Sequence, residues 1–311
     1  MGENSNIQWT THTASFWEGC AKVSDGCKHC YAETRNARFH AKADGGATHW
    51  GVDAPRLMRS ESYWKQPLKW NKEAKASGVR QRVFCASLSD VFEDRPDLIE
   101  PRARLFRLIE ECDWLDWQLL TKRPENMMRL AKVWGDKWPD NVWAGCTVEN
   151  QEAAEKRILW LCEVPAVVRF LSCEPLLERV DLRNVDMKPI LKLDRDPSPH
   201  APMCMLDALT GHMKGPDDMM DFKIHWVIVG GESGKDARPF HLQWARRIVA
   251  DCKATGAAVF VKQLGANARD GVGSYDWHVN VVCRDSHGGD WSEDAWPQEL
   301  RVREFPIVRA R

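Results

Sequence analysis

The sequence predicts an α/β fold, a complete or partial TIM-like (β/α) barrel with parallel strands, and three observations predict it. Six segments share one grammar, an apolar, β-branched or aromatic run that turns polar at its end: RVFCASLSD from Arg82, WQLLTKRP from Trp117, VWAGCTVEN from Val142, VVRFLSCEP from Val167, WVIVGGESG from Trp226 and AVFVKQLG from Ala258. Continuous apolar runs of this length suit strands buried on both faces, as in a parallel sheet. Helical spacing fills several of the intervals. The polar residues gather at the carboxyl-terminal ends of the runs, where a barrel builds its active site.

In chain order, a first strand is expected just before Cys20. Leu105, Leu108, Ile109 and Cys112 recur at helical spacing before the second run, and Ile158, Leu159 and Cys162 do so before the fourth. Leu242, Ala245, Ile248, Val249 and Cys252 predict a helix before the last run, with Gly256 placed to end it. Residues from about 183 to 221 are rich in Pro, Asp and Met without a clean period and read as an insertion. Its His200, Cys204 and His212 match no standard zinc spacing. The expected organisation is one barrel domain over 1–265, with a cysteine loop at 20–30, and a carboxyl-terminal extension over 266–311 that packs on it.

Composition limits what such a protein can be. A chain of 311 residues buries a sizeable core. With 44 Lys and Arg against 45 Asp and Glu, its net charge of -1 gives no whole-protein attraction to a polyanion, so a nucleic-acid partner needs a local basic patch. No membrane span is expected, since no run approaches roughly 18 apolar residues, and nothing at the amino terminus reads as a secretory signal. The expected location is cytoplasmic. There the 11 cysteines stay thiols rather than forming a disulfide framework.

The strand ends carry Ser87, Ser89 and Asp90; Thr121, Lys122 and Arg123; Thr147 and Glu149; Ser172 and Glu174; Gly230, Gly231 and Glu232; Lys262 and Gln263. Convergence would put Asp90, Lys122, Glu149, Glu174, Glu232 and Lys262 around one cavity facing the cysteine loop. The rival reading makes Asp90 and Asn150 helix caps and the charges rim pairs.

The cysteine loop, WEGCAKVSDGCKHCYAE, spaces Cys20, Cys27 and Cys30 as C-x6-C-x2-C. Structural zinc takes four protein ligands, and His29 or His40 can supply a fourth. A [4Fe-4S] cluster ligated by three cysteines instead leaves one iron open, which gives a use to stopping at three.

WEGCAKVSDGCKHCYAE, VFCASLSDVF, LLTKRPENM, NVWAGCTVEN, RFLSCEPLL, WVIVGGESG, ARPFHLQWARRI and FVKQLG, in that order, resemble the three-Cys-motif family of bacteriophages and mobile elements, named also for phage gene products thirty-seven and sixty-eight. The resemblance runs from about Ile7 to Pro306. It implies a domain of unknown function similar to radical S-adenosylmethionine proteins, with Cys20, Cys27 and Cys30 as cluster ligands and Tyr31 as the aromatic beside them. The chain departs from the wider radical superfamily, whose usual spacing is C-x3-C-x2-C and whose Gly-Gly-Glu follows the second strand. Here Gly230, Gly231 and Glu232 follow a late strand, and the second ends in Ser87, Ser89 and Asp90. S-adenosylmethionine, if bound, is expected to give its ammonium to Glu232 or to that group.

The segment from Arg56 to Arg82 holds eight Lys and Arg against two Glu, interleaved with Tyr63, Trp64 and Trp70. That composition suits a nucleotide or nucleic-acid partner and a solvated amphipathic helix equally. Three functions stay open: a radical S-adenosylmethionine-type enzyme supplied by an electron donor and acting on a nucleotide or nucleic acid, with Lys122, Glu149, Glu174 and Lys262 as candidate catalytic residues; a non-catalytic iron-sulfur or zinc protein that binds nucleic acid or a partner; and a metal-independent hydrolase using Glu149 and Glu174 as acid and base.

Overall fold

A computed structural model of the chain describes residues 2–40, 48–188, 204–214, 222–271, 279–280 and 296–308. It divides into two compact units, Met1–Gly145 with Pro165–Val167, and Cys146–Val164 with Val168–Arg311.

The first unit opens with β1 (His12–Ala14), β2 (Trp17–Glu18) and α1 (Tyr31–His40). There follow β3 (Leu57–Met58), α2 (Glu61–Trp64), α3 (Gln66–Ser77), β4 (Gln81–Cys85), α4 (Ile99–Glu111), β5 (Leu115–Thr121), α5 (Met127–Leu130) and, reaching the unit boundary, β6 (Val142–Thr147). The stretch just before Cys20 is β2, which pairs antiparallel with β3; the first strand of the main sheet is the earlier β1, parallel to β4. Helix α4 forms where the apolar residues recur on one face: Leu105, Phe106, Leu108 and Ile109 are buried, and Arg102 is buried with them. On β5, Trp117 and Leu119 are fully buried.

The second unit continues with α6 (Gln151–Cys162), β7 (Val168–Cys173), β8 (Val185–Asp186), β9 (Met205–Asp207), β10 (His212–Lys214) and β11 (Trp226–Gly230). It ends with β12 (Phe240–His241), α7 (Leu242–Thr255), β13 (Ala258–Gln263), β14 (Ala268–Asp270) and β15 (Val279–Asn280). Asn150 caps α6, its side chain accepting the Ala153 N–H at 2.8 Å. Gly256 ends α7 at φ +73°, a conformation that glycine adopts without Cβ strain. The insertion supplies the antiparallel order β10-β9-β8. In it Cys204 is buried and His212 exposed, while His200 lies outside the described residues.

Seven parallel strands are hydrogen-bonded in the order β1-β4-β5-β6-β7-β11-β13. Parallel neighbours that follow chain order, with helices in the crossovers except between β7 and β11, where the described residues form β8, β9 and β10, are the topology of a partial TIM-like barrel. All six apolar runs form strands of this sheet. Beyond β13 the chain returns antiparallel along it: Val261 N–H donates to Val302 O at 2.9 Å and Glu304 N–H to Val259 O at 2.9 Å. No helix among the described residues is long and apolar enough to cross a membrane.

Arg246 on α7 clamps this end of the chain. It donates to both carboxylate oxygens of Asp270, at 2.5 and 2.8 Å, and to Glu299 at 2.7 Å. Hydrogen bonding to Arg246 holds the Asp270 carboxyl below its ordinary range. A depressed folded value contributes stability above the unfolded value, about 3.9, and loses it as pH falls through the folded one. The thermal midpoint of Asp270→Asn should therefore lie below the parent at pH 7 and converge on it under acid conditions; parallel curves would contradict the clamp.

Candidate functional site

The cysteine loop belongs to the first unit and is tied to the carboxyl ends of its strands. Gly19 bridges to Ser89 just past β4, its N–H donating to Leu88 O at 3.1 Å. Its φ is +114°, and a Cβ there would lie 2.2 Å from His49 O, so only glycine lets the chain enter the loop this close to its neighbour. At the other end of the loop the Tyr31 hydroxyl donates to Ser87 O at 2.5 Å. Ser15 and Ser87 hydroxyls lie 3.3 Å apart beneath it.

Helix α1, which follows Cys30, is docked through Glu18. That carboxylate is fully buried. It accepts from Arg35 at 3.2 Å, from Asn36 at 3.3 Å and from Arg59, and His40 Nε2 lies 3.4 Å away. His40, a candidate fourth zinc ligand, is thus turned to Glu18.

Beneath Cys20 lies a buried network of four charges. Asp90 takes Thr121 Oγ1 at 2.7 Å and Phe92 N–H at 2.9 Å on one oxygen, and Arg123 Nη1 at 2.8 Å on the other. Arg123 Nη2 donates to Ala21 O at 2.7 Å, and Nη1 also reaches Cys20 Sγ at 3.6 Å. Glu93 receives Ala21 N–H at 3.0 Å and a two-pronged bond from Arg56 at 2.9 and 2.8 Å. Arg56 spends its other donors on the carbonyls of His49, Gly51 and Ala54. From α4, Arg102 donates to Val91 O and Glu93 O, fixing the loop that carries Asp90 and Glu93. Buried charges survive only when paired or fully hydrogen-bonded: Asp90, Glu93, Arg56 and Arg123 are paired, and Arg102 is held by carbonyls.

Burial pushes the Cys20 thiol up to about 12, and the carboxylates of Asp90 and Glu93 add to it against the pull of Arg123. Such a group is no thiolate nucleophile at neutral pH. Among the described residues no set of three or more His, Cys, Asp or Glu side chains is gathered around a common point to hold a metal ion. The donor chemistry nevertheless suits an iron-sulfur cluster: three unpaired, half-buried thiols in one loop, with a cation at one sulfur. The buried Ser89 hydroxyl, at the strand end beside the loop, has no hydrogen-bond partner among the described residues. A buried polar atom left so is what a bound ligand would satisfy. Cys85, Cys112, Cys146, Cys162, Cys173 and Cys252 are buried in the core, where a thiol behaves as a small hydrophobe.

Lys122 donates its N–H to Asp90 at 3.3 Å, and its ammonium has no ion-pair partner among the described residues. The basic segment resolves differently from its composition. Trp64 and Trp70 are buried, and Tyr63 is half-buried with its hydroxyl accepting Ser15 N–H at 3.0 Å, so none is a free platform for a stacked base. Arg56 is committed to Glu93. What stays exposed on α3 and at its start is Lys65, Lys69, Lys72 and Lys75.

In the second unit the predicted pocket groups are paired locally. Glu174 Oε1 accepts from Lys262 and from Gln263, both at 2.6 Å. Glu149 accepts Arg157 at 2.7 Å, and Glu232 is bound by Arg238 at 3.0 and 2.6 Å. The room left by the two glycines is filled from within: a Cβ at Gly230 would sit 3.2 Å from Glu174, and one at Gly231 would sit 2.5 Å from Leu264 O.

Reading strand ends located Asp90 and Cys20 but gave no role to Arg56, Glu93 or Glu18. The usable signal was Glu93 in SDVFED, a carboxylate inside an apolar turn that must find a cation.

Fold and site together define an α/β protein with a partial barrel and a three-thiol loop fixed at its strand ends. The model of the family described as Protein of unknown function (DUF5131) matches residues 4–298, and the chain belongs to that family. No curated protein and no solved structure matches the chain.

Proposed function

We propose that the chain is an iron-sulfur protein similar to radical S-adenosylmethionine enzymes, of the phage and mobile-element three-Cys-motif kind, acting on a nucleotide or nucleic acid. One observation carries this reading: three free thiols share a loop that buried charges pin to the carboxyl ends of parallel strands, the position at which barrels do chemistry. Cys20, Cys27 and Cys30 would hold a [4Fe-4S] cluster. When bound, it would supply an open iron for S-adenosylmethionine and the electron, taken from a donor, that cleaves the sulfonium.

The chain's own residues have separable tasks. The Ser89 hydroxyl oxygen, buried on a half-buried residue and without a partner among the described residues, is suited to accept a hydrogen bond from the cofactor's ammonium. Asp90 and Glu232 are already held by Arg123 and Arg238, which favours a positioning task for both. Lys122 offers a free cation to a phosphate, and the exposed lysines of α3 add a charged face without base stacking. The hydrolase reading asks Glu149 and Glu174 to trade protons, yet each carboxylate is held by a cation.

Anaerobic reconstitution with iron and sulfide, followed by titration with S-adenosylmethionine, tests the proposal. The expected result is a visible charge-transfer band and a reduced-state electron paramagnetic resonance signal that changes on adding the cofactor. A cluster indifferent to the cofactor, zinc alone, or no metal each overturns it.

A further inference from the structure

We infer that Arg123 is the positioning residue of the cysteine loop: it holds Cys20 as the fixed ligand and donates a hydrogen bond to that sulfur. The inference rests on the iron-sulfur reading for what the bond does to a cluster, but not for the hold on the loop.

Geometry carries it. Arg123 N–H donates to Thr121 Oγ1 at 2.9 Å, Thr121 Oγ1 donates to Asp90 at 2.7 Å, and Asp90 accepts Arg123 Nη1 at 2.8 Å. This closed ring leaves the guanidinium no freedom to turn, and its side chain is only 9% exposed. Its remaining reach is directed at the loop, to Cys20 Sγ at 3.6 Å and Ala21 O at 2.7 Å. No hydrogen bond is made to the sulfur of Cys27 or Cys30 among the described residues, so the three thiols are not equivalent. A planar guanidinium can serve Asp90, Ala21 and Cys20 at once, and an ammonium on a flexible stem cannot. Hydrogen bonds to a ligand sulfur raise a cluster's reduction potential, and loss of such outer partners costs roughly 10- to 100-fold in metal affinity.

Arg123→Lys keeps a cation beside Asp90 and is the first variant; Arg123→Met with Asp90→Asn removes the pair together, so that no charge is left buried alone. Three readouts are compared with the parent: iron retained against a chelator, the midpoint potential, and the alkylation rate of each loop cysteine in the metal-free protein, located by mass spectrometry. The expected result is roughly 10- to 100-fold weaker iron retention, a lower midpoint potential, and faster alkylation of Cys20 with Cys27 and Cys30 unchanged. A purely structural role would not lower the potential of a fully loaded cluster. Potential and chelator resistance equal to the parent's would overturn the inference while leaving the iron-sulfur reading intact. If the parent takes up no iron, the iron-sulfur reading fails, and Cys20 alkylation alone decides: unchanged protection in Arg123→Lys overturns the hold on the loop.

Discussion

Alanine at Cys20, Cys27 or Cys30 is expected to abolish stable iron uptake on reconstitution, whereas alanine at Cys85, Cys146 or Cys173 leaves iron content at the parent's level. The contrast follows from placement. The first three are half-buried, share one loop and enter no disulfide; the other three are buried in strands β4, β6 and β7. Cys85 and Cys173 are wholly enclosed in the core, so neither sulfur reaches a cluster without opening it. A cluster with three protein ligands tolerates the loss of none, because the open iron position is already given to another group. Iron and sulfide analysis of the six variants decides the matter. Full iron in any loop variant would sink the assignment.

The largest stability effect is expected at Arg56. Its side chain is fully buried, and its guanidinium meets both oxygens of Glu93 and three backbone carbonyls. Arg56→Ala leaves the buried Glu93 carboxylate with only Arg123, at 3.6 Å, and the Ala21 N–H, and strands those carbonyls, at a cost of about 3–5 kcal/mol. In a protein of this size that lowers the thermal midpoint by roughly 10 °C. Replacing Arg56 and Glu93 together by Met and Leu should recover part of the loss, because no charge is then stranded. The double variant still forfeits the Ala21 N–H bond to Glu93, so recovery stays incomplete. Calorimetry of both variants checks this, and an Arg56→Ala protein that melts with the parent would refute it.

Much of the fold was legible because its signals are local. Apolar runs such as VFVK and WVIV become strands β13 and β11, the spacing of Leu105, Leu108 and Ile109 becomes α4, and Gly256 stops α7. Asp90 and Cys20 both meet Arg123, and parallel topology gathers strand ends in this way. Partnerships across long sequence separations were not legible. Nothing in the pattern ties Arg123 to Cys20, Arg56 to Glu93 or Arg59 to Glu18. In the Arg56–Arg82 segment composition counts Trp64 and Trp70 but not their direction, and both point into the core, where Trp64 packs on Phe16 and Trp70 stacks on His12. The close packing of Glu174 on Gly230 and of Leu264 on Gly231 is likewise something only three-dimensional packing reveals.

The main sheet ends at β1 and β13, and an open parallel sheet would leave the backbone of both unsatisfied. Each is covered by its own chain. Residues 302–304 lie along β13, and Thr13 N–H on the three-residue β1 donates to Gly2 O at 3.2 Å. An uncovered β13 would present AVFVKQ, a flat apolar ribbon able to template pairing with another copy. With those backbone groups bonded within the chain, neither edge is left as a row of unpaired donors and acceptors.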